Sequence, residues 1–359
     1  MKFNLEKNIS LHVPVKHGGL YSIECPEKGI IDFSSNVNPL GCVPLVKKVI
    51  KKELTSLSLY PDPDSSELRS HLEWYTGVPK EQIVVGNGST EIIYNFCRIF
   101  LRKKSPVLLP VPTFGEYEAA AKLSNTSISF FKTMNLNEQI SELLKDIPKR
   151  GCVFICNPNN PTGSLTSKKN MLKIIDNAHN KSTLVFVDEC FIELVPDRDE
   201  SVKGSVRKFD NLFILRSLTK SFGLAGIRIG YGLGSRKIID VMQKIKIPWN
   251  VSGLAQKAAG AALCHNFHLD KTRKLIKRES KFILDSLSKM DRFFCYDSST
   301  NFILIKSEIN SKRLQKKLLK KKILVRDCSN FRSLGPKFIR VAVRKHAENV
   351  KLINAMEAI

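Results

Sequence analysis

Short apolar runs separated by amphipathic stretches fill most of this chain. Runs bounded by turn-forming residues predict strands at 82–85, 106–110, 152–156, 183–187, 211–215 and 227–233. Between them the apolar positions recur at helical spacing. After the run at 82–85, for example, Ile92, Ile93, Phe96, Ile99 and Phe100 fall on one helical face. Strands alternating with helices predict an α/β fold with a mostly parallel sheet covered on both faces. The opening segment lacks either period and contains Pro14, His17-Gly18-Gly19 and Pro26, which predicts an irregular arm. From about Val251 the pattern changes to long helices and then strands at 301–306, 323–326 and 338–343. The expected organisation is an arm over 1–33, a large unit over 34–250, and a smaller α/β unit over 251–359 with which the arm packs.

A chain of 359 residues with 42% apolar content can bury a large core. No apolar run reaches membrane-spanning length and the amino terminus lacks a signal-peptide core, so a cytoplasmic protein without membrane partners is expected. Nine cysteines are scattered without a CxxC pair or a His/Cys cluster, and no metal site is expected. Cys152 and Cys156 lie four apart in a predicted strand, on the same side, which favours core filling. The formal net charge of +24 points towards nucleic acid. Yet the densest basic run, 312–322, carries Leu314, Leu318 and Leu319 as an apolar stripe, the pattern of an amphipathic helix with a solvated lysine face. Aromatics do not interleave with the basic residues, so no nucleic-acid partner is expected.

Specific chemistry enters at the strand ends. Ser217-Leu-Thr-Lys220-Ser-Phe-Gly follows the strand at 211–215 and places one lysine among small, apolar and hydroxylic residues, with Arg228 beyond it. A partly desolvated lysine at a strand end offers its amine to an aldehyde. The hydroxyls of Ser217 and Thr219 and the guanidinium of Arg228 are suited to a phosphate. An aldehyde bearing a phosphate describes pyridoxal 5′-phosphate. Its ring nitrogen requires an acid, and Asp188 ends the strand at 183–187. Its phenolic oxygen requires a donor, and Asn157 opens the turn Asn157-Pro-Asn-Asn-Pro-Thr-Gly163 after the strand at 152–156. The turn Gly86-Asn-Gly88-Ser89-Thr90 begins like a dinucleotide fingerprint, but position 91 is Glu, where that fingerprint has glycine or alanine. Gly88, Ser89 and Thr90 instead fit a helix N-terminus that receives the cofactor phosphate.

These segments resemble the fold-type I pyridoxal phosphate enzymes of the class I/II aminotransferase superfamily, from about His17 to about Asn349. The resemblance implies a large domain with a seven-stranded, mostly parallel sheet and a smaller C-terminal α/β domain. It implies Lys220 and Asp188 as catalytic residues, and Phe114 of Pro112-Thr-Phe-Gly as the ring stacked on the pyridine. It also implies a homodimer with shared sites, in which Tyr60 of Tyr60-Pro-Asp-Pro reaches the neighbouring subunit's cofactor phosphate. Two branches that take small phosphorylated amino compounds fit: histidinol-phosphate aminotransferases and threonine-phosphate decarboxylases of cobalamin biosynthesis. Lys16-His17-Gly18-Gly19, the loop 32–41 with Asn36, Phe191 after Asp188-Glu-Cys, and the segments 248–252 and 326–331 resemble the decarboxylases more. The implied substrate contacts are His17, Gly18, Asn36, Asn157, Arg326 for a phosphate and Arg340 for a carboxylate. The expected reaction is loss of carbon dioxide from O-phospho-L-threonine, with transamination of histidinol phosphate as the alternative.

Overall fold

Residues 6–24, 28–196 and 199–359 are described by the structure, a computed structural model. Cys25 and Pro26 of the arm lie outside the described residues. In chain order the strands are β1 (Ile31–Asp32), β2 (Ile83–Gly86), β3 (Pro106–Val111), β4 (Ser127–Lys132), β5 (Cys152–Cys156), β6 (Leu184–Asp188), β7 (Leu212–Ser217) and β8 (Gly230–Gly234). There follow β9 (Phe293–Cys295), β10 (Phe302–Ser307), β11 (Ile323–Leu324), β12 (Arg326–Asp327) and β13 (Phe338–Ala342).

The central sheet has seven strands in the order β2-β8-β7-β6-β5-β3-β4. Only β8 runs against its neighbours, pairing antiparallel with β2 and β7. The interior strands β5 and β7 are buried at every position, because helices cover both faces, and β5 and the first four residues of β7 are accordingly continuous apolar runs. Strand β4 is absent from the sequence expectation. It is an edge strand paired only with β3, and its Ser127-Ile-Ser-Phe-Phe-Lys132 stays partly exposed. Its short apolar content gives a weak signal. The strand expected from Ile227 begins instead at Gly230, because Arg228 has φ +59°, in the left-handed region that no extended strand can use.

The helix Gly88–Phe100 lays Phe96 on the sheet, its ring 4.8 Å from Phe186 and 5.1 Å from Phe213. On the neighbouring strand β8, Gly232 leaves the space that Phe213 fills: a Cβ there would lie 2.2 Å from the Phe213 ring. A second apolar core lies under the four-stranded sheet β12-β13-β10-β9, where Ile303, Ile305, Val341 and Phe33 meet the lysine-rich helix Ser311–Lys320 through Leu314 and Leu318. The lysines of that helix face outward or lie partly covered, and no helix of the described residues is long and apolar enough to cross a membrane. The arm joins this second core, since β1 pairs in parallel with β11 and Arg344 donates to the Asp32 carbonyl at 3.0 Å. It also touches the first unit, where Asn8 donates to the Leu123 carbonyl at 2.6 Å. Helix Gly253–Leu263, placed by sequence with the carboxy-terminal unit, buries Ala255, Ala258, Ala259 and Ala262 in the first core, against the helices Pro44–Glu53 and Ser66–Thr76. We propose a large and a small domain built on these two cores, with this helix belonging to the large one.

The parallel direction of β2, β3, β5, β6 and β7 brings their carboxyl ends to one edge. Register sets Cys156 opposite Asp188 and Asp188 opposite Leu215, two residues before Ser217. A ligand site at that edge is the general outcome of this architecture.

Candidate active site

A cavity of about 1370 Å³ opens at this edge, between the sheet, the arm and the four-stranded sheet. Of the residues expected from sequence, Ser89, Thr90, Phe114, Asp188 and Ser217 line it, with Thr219, Lys220 and Arg228. His17, Gly18, Asn36, Arg326 and Arg340 line it as well. Gly88, Asn157 and Tyr60 do not line it.

Gly88 shapes the anion corner from behind. It opens the helix Gly88–Phe100 with φ +79°, and a Cβ there would lie 2.6 Å from Nη2 of Arg228. Only glycine satisfies both the backbone and the guanidinium. Gly230 similarly lets the Ser89 N–H approach: a Cβ at Gly230 would lie 2.7 Å from that nitrogen. Free N–H groups at a helix start, two hydroxyl residues and an arginine form a cradle for a phosphate. Glu91, which breaks the dinucleotide pattern, accepts from the Asn87 N–H at 2.6 Å and from Asn250 at 2.8 Å, so it secures the turn that presents the cradle.

Lys220 lies in a short helix, Leu218–Ser221, rather than in an open loop. Ser217 caps this helix, its Oγ accepting from the Thr219 N–H at 3.2 Å and keeping its own O–H to donate. The Asn38 N–H bonds the Lys220 carbonyl at 3.0 Å, and the Asn38 amide donates to the Ser221 carbonyl at 2.7 Å. The lysine backbone is therefore clamped to the loop that carries Asn36. Burial, with the charges of Arg340 and Arg228, brings the Lys220 amine down from 10.5 to about 8.

Asp188 ends β6 at the cavity floor, 5% exposed. Its Oδ2 accepts from the Tyr117 hydroxyl at 2.6 Å and its Oδ1 from the Cys190 N–H at 2.8 Å. Burial pushes its carboxyl above the usual range. A cationic N–H facing it would reverse that shift. Tyr117 was not singled out by sequence. Its signal is the spacing of three from Phe114 at the start of a helix, which turns both rings towards one side.

The expected role of Asn157 meets a different arrangement. Its amide donates to the Thr166 carbonyl at 2.9 Å and its Oδ1 accepts from the Thr166 N–H at 2.8 Å. The side chain thus mimics a strand partner behind the cavity wall and does not face the ligand space. Asn160, three residues on, lines the cavity and accepts from Arg340. Both asparagines precede a proline, so composition offered no way to choose between them.

Arg326 and Arg340 stand directly opposite one another in the β12–β13 register. Arg340 is 6% exposed, its guanidinium donating to Asn160 and, at 2.8 Å, to the Ser34 carbonyl. Burial, with the Arg326 charge, lowers its pKa to about 10. Arg326 donates to the Lys16 carbonyl at 2.6 Å and to Asn330 at 3.1 Å. Neither has a carboxylate partner among the ion pairs of the described residues. Two facing cations served only by neutral acceptors suit a ligand with two anionic groups. Asn36 is 2% exposed and its Oδ1 has no partner, a further sign of a polar ligand.

These residues fit a phosphorylated aldehyde: an anion cradle, a lysine with a lowered pKa, a buried carboxylate and an aromatic wall face one cavity. The model of the family "Aminotransferase class I and II" matches residues 28–359. The chain is 36% identical over 351 residues to a protein of Caldanaerobacter subterraneus subsp. tengcongensis named, provisionally, threonine-phosphate decarboxylase, covering 96% of this chain and 94% of that one. It is 34% identical over 337 residues to a histidinol-phosphate aminotransferase of Methanococcus aeolicus, covering 92% and 90%. The crystal structure of the histidinol-phosphate aminotransferase from Clostridium acetobutylicum superposes with a TM-score of 0.83 at 32% identity, over 92% of this chain and 98% of that one. This chain belongs to the class I and II aminotransferases, a family of enzymes whose cofactor is pyridoxal 5′-phosphate.

Proposed function

We propose that the chain is a pyridoxal phosphate-dependent decarboxylase of O-phospho-L-threonine. The observation that carries this reading is the facing pair Arg326 and Arg340, with His17 and Asn36 beside it, which suits a short substrate anionic at both ends. Bound pyridoxal phosphate supplies an electron sink for the bond that breaks at the substrate Cα. In this reading Ser89, Thr90, Ser217, Thr219 and Arg228 hold its phosphate, with Gly88 leaving room. Asp188 faces the ring nitrogen and holds its proton, while Tyr117 and the Cys190 N–H keep that carboxylate aimed. Asn160 takes the donor role towards the phenolic oxygen expected of Asn157, and Phe114 covers one ring face.

Substrate orientation then selects the reaction. Arg340, fixed by Asn160 and the Ser34 carbonyl, grips the carboxylate; Arg326, His17, the Gly18 N–H and Asn36 hold the phosphate. Two grips on a short molecule fix which Cα bond stands across the ring plane. With the carboxylate held there, carbon dioxide would leave and its bonding electrons would pass to the sink that the bound cofactor supplies, and the protonated Lys220 Nζ is the group that would return a proton to Cα. Phe191, 5% exposed with its ring 5.0 Å from Phe302, puts an apolar edge on the cavity.

The test is a side-by-side assay. O-phospho-L-threonine is expected to release carbon dioxide and yield aminopropanol phosphate without an oxo-acid acceptor, and histidinol phosphate with 2-oxoglutarate to turn over poorly. Glutamate formed from histidinol phosphate, with no carbon dioxide from phosphothreonine, would replace this reading by the aminotransferase one.

Capture of added pyridoxal phosphate by the cofactor-free protein follows the fraction of neutral Lys220. The rate is expected to rise with pH and level off above about 8. Since the Arg340 charge lowers that pKa, Arg340→Gln should move the plateau to higher pH. A parent profile still climbing towards 10.5 would contradict the assignment.

We further propose a homodimer. Leu57, Leu59, Tyr60, Ile247 and Trp249 form an exposed apolar patch, with Tyr60 83% exposed and its ring 4.9 Å from Trp249. Gln256 donates to the Asp62 carbonyl at 2.9 Å and so holds the Tyr60 segment in place, away from its own cavity. Tyr60 is thereby available to a partner's phosphate cradle.

A further inference from the structure

One buried carboxylate that bonds His17 of the cavity lining has no part in the roles above. Glu116, 4% exposed, starts the helix Glu116–Leu123. Its Oε1 accepts from Nε2 of His17 at 2.6 Å, across 99 residues of sequence. Its Oε2 accepts from the Tyr94 hydroxyl, also at 2.6 Å. Burial alone would push the Glu116 carboxyl up, but the hydrogen bonds from His17 and Tyr94 hold it below its ordinary range.

The arm around His17 has no regular structure and is largely exposed, as His17 itself is, at 52% of its side chain. It is tied down at few points. Arg326 donates to the Lys16 carbonyl, the Gly19 N–H donates to Ser34 Oγ at 2.7 Å, and Val15 lies over Gly115, where a Cβ would stand 3.1 Å from it. The Arg326 tie competes with a ligand, because a phosphate drawing on that guanidinium takes a donor away from Lys16. Asn330 also donates to the Lys16 carbonyl, at 3.3 Å, and these backbone ties leave the imidazole itself to Glu116.

We propose that Glu116 is the positioning residue of His17: with Tyr94 it anchors the strap 16–19 across the cavity, so that the imidazole meets the distal anion of a phosphorylated ligand. An anionic acceptor at Nε2 requires a proton on that nitrogen, and Nδ1 donates to an anionic ligand only when it too carries a proton, so the ring meets the ligand as an imidazolium paired with Glu116. The proposal rests on the proposed function only in taking an anionic ligand.

The test uses the full-length holoenzyme with inorganic phosphate as probe, and follows tryptic cleavage after the exposed Lys16 by mass. Glu116→Gln is expected to speed that cleavage and to raise the phosphate concentration giving half protection about 10-fold. Cofactor absorbance and kcat should stay close to the parent, with the change in KM for O-phospho-L-threonine. In tryptic cleavage and phosphate protection His17→Asn should behave alike, and in those two readouts the double variant should be no weaker than either single one, since one residue acts through the other. Tyr94→Phe, which removes one hydrogen bond, should shift the same readouts less and serves if Glu116→Gln does not fold. Unchanged cleavage and protection in these variants, or additive losses in the double variant, would overturn the proposal. If phosphothreonine is not decarboxylated while the cleavage and protection effects hold, the strap stands and the substrate assignment fails.

Discussion

Replacing Lys220 with alanine is expected to abolish measurable turnover, a loss of at least about 10⁴-fold. The reason is double: in the function we propose, its amine is the group offered to the cofactor aldehyde, and its Nζ moves the proton at Cα. Borohydride reduction of the parent protein followed by mass mapping should place the pyridoxyl label on Lys220. A label on another lysine would overturn the site assignment. Folding should survive the change. Burial lowers this pKa from 10.5 to about 8, so the unfolded chain holds its proton more tightly and the protonated lysine opposes folding below about pH 8. That penalty is full at pH 7 and disappears as pH rises through the window from 8 to 10.5. The alanine variant is therefore expected to keep or gain Tm at neutral pH, which separates a chemical loss from a structural one.

Mixing that variant with an inactive Tyr60→Ala variant, under subunit exchange, is expected to restore about a quarter of parental activity. In a two-fold dimer with Tyr60 acting across the interface, each heterodimer has one site with both defects and one with neither. Random exchange makes about half the dimers heterodimers, each with one intact site in two. Confirmed heterodimers without activity would place Tyr60 outside the neighbour's site. The exposed patch around Tyr60 and Trp249 should then belong to some other contact.

The residues we propose for the cofactor stood out in the sequence because they sit at strand ends. Asp188, Ser217 and Lys220 follow apolar runs that could only be interior strands, and parallel register brings such ends together. The pair Asn157 and Asn160 shows where this reasoning stops. A turn of seven residues presents both asparagines before prolines, and the difference lies in Thr166, whose backbone occupies the Asn157 amide. Helix Gly253–Leu263, which we propose belongs to the large domain, was read with the carboxy-terminal unit for a related reason. Its alanine-rich face states that something packs closely, not that the partners lie near residues 44–76.

The sequence by itself determined the periodic elements, the α/β class and the set of chemically distinctive side chains, because periodicity and turn chemistry are local properties. Arg326 and Arg340 were marked in the sequence only through the resemblance of the motifs around them. Only the tertiary structure decided which groups meet. Tyr117 reaches Asp188 across 71 residues and His17 reaches Glu116 across 99. Such pairs leave no mark at fixed spacing, since the sheet crossovers and the path of the arm set their distance. The charge state of Lys220 follows the same rule: a lysine among small residues is suggestive, but burial and the facing Arg340 are what lower its pKa.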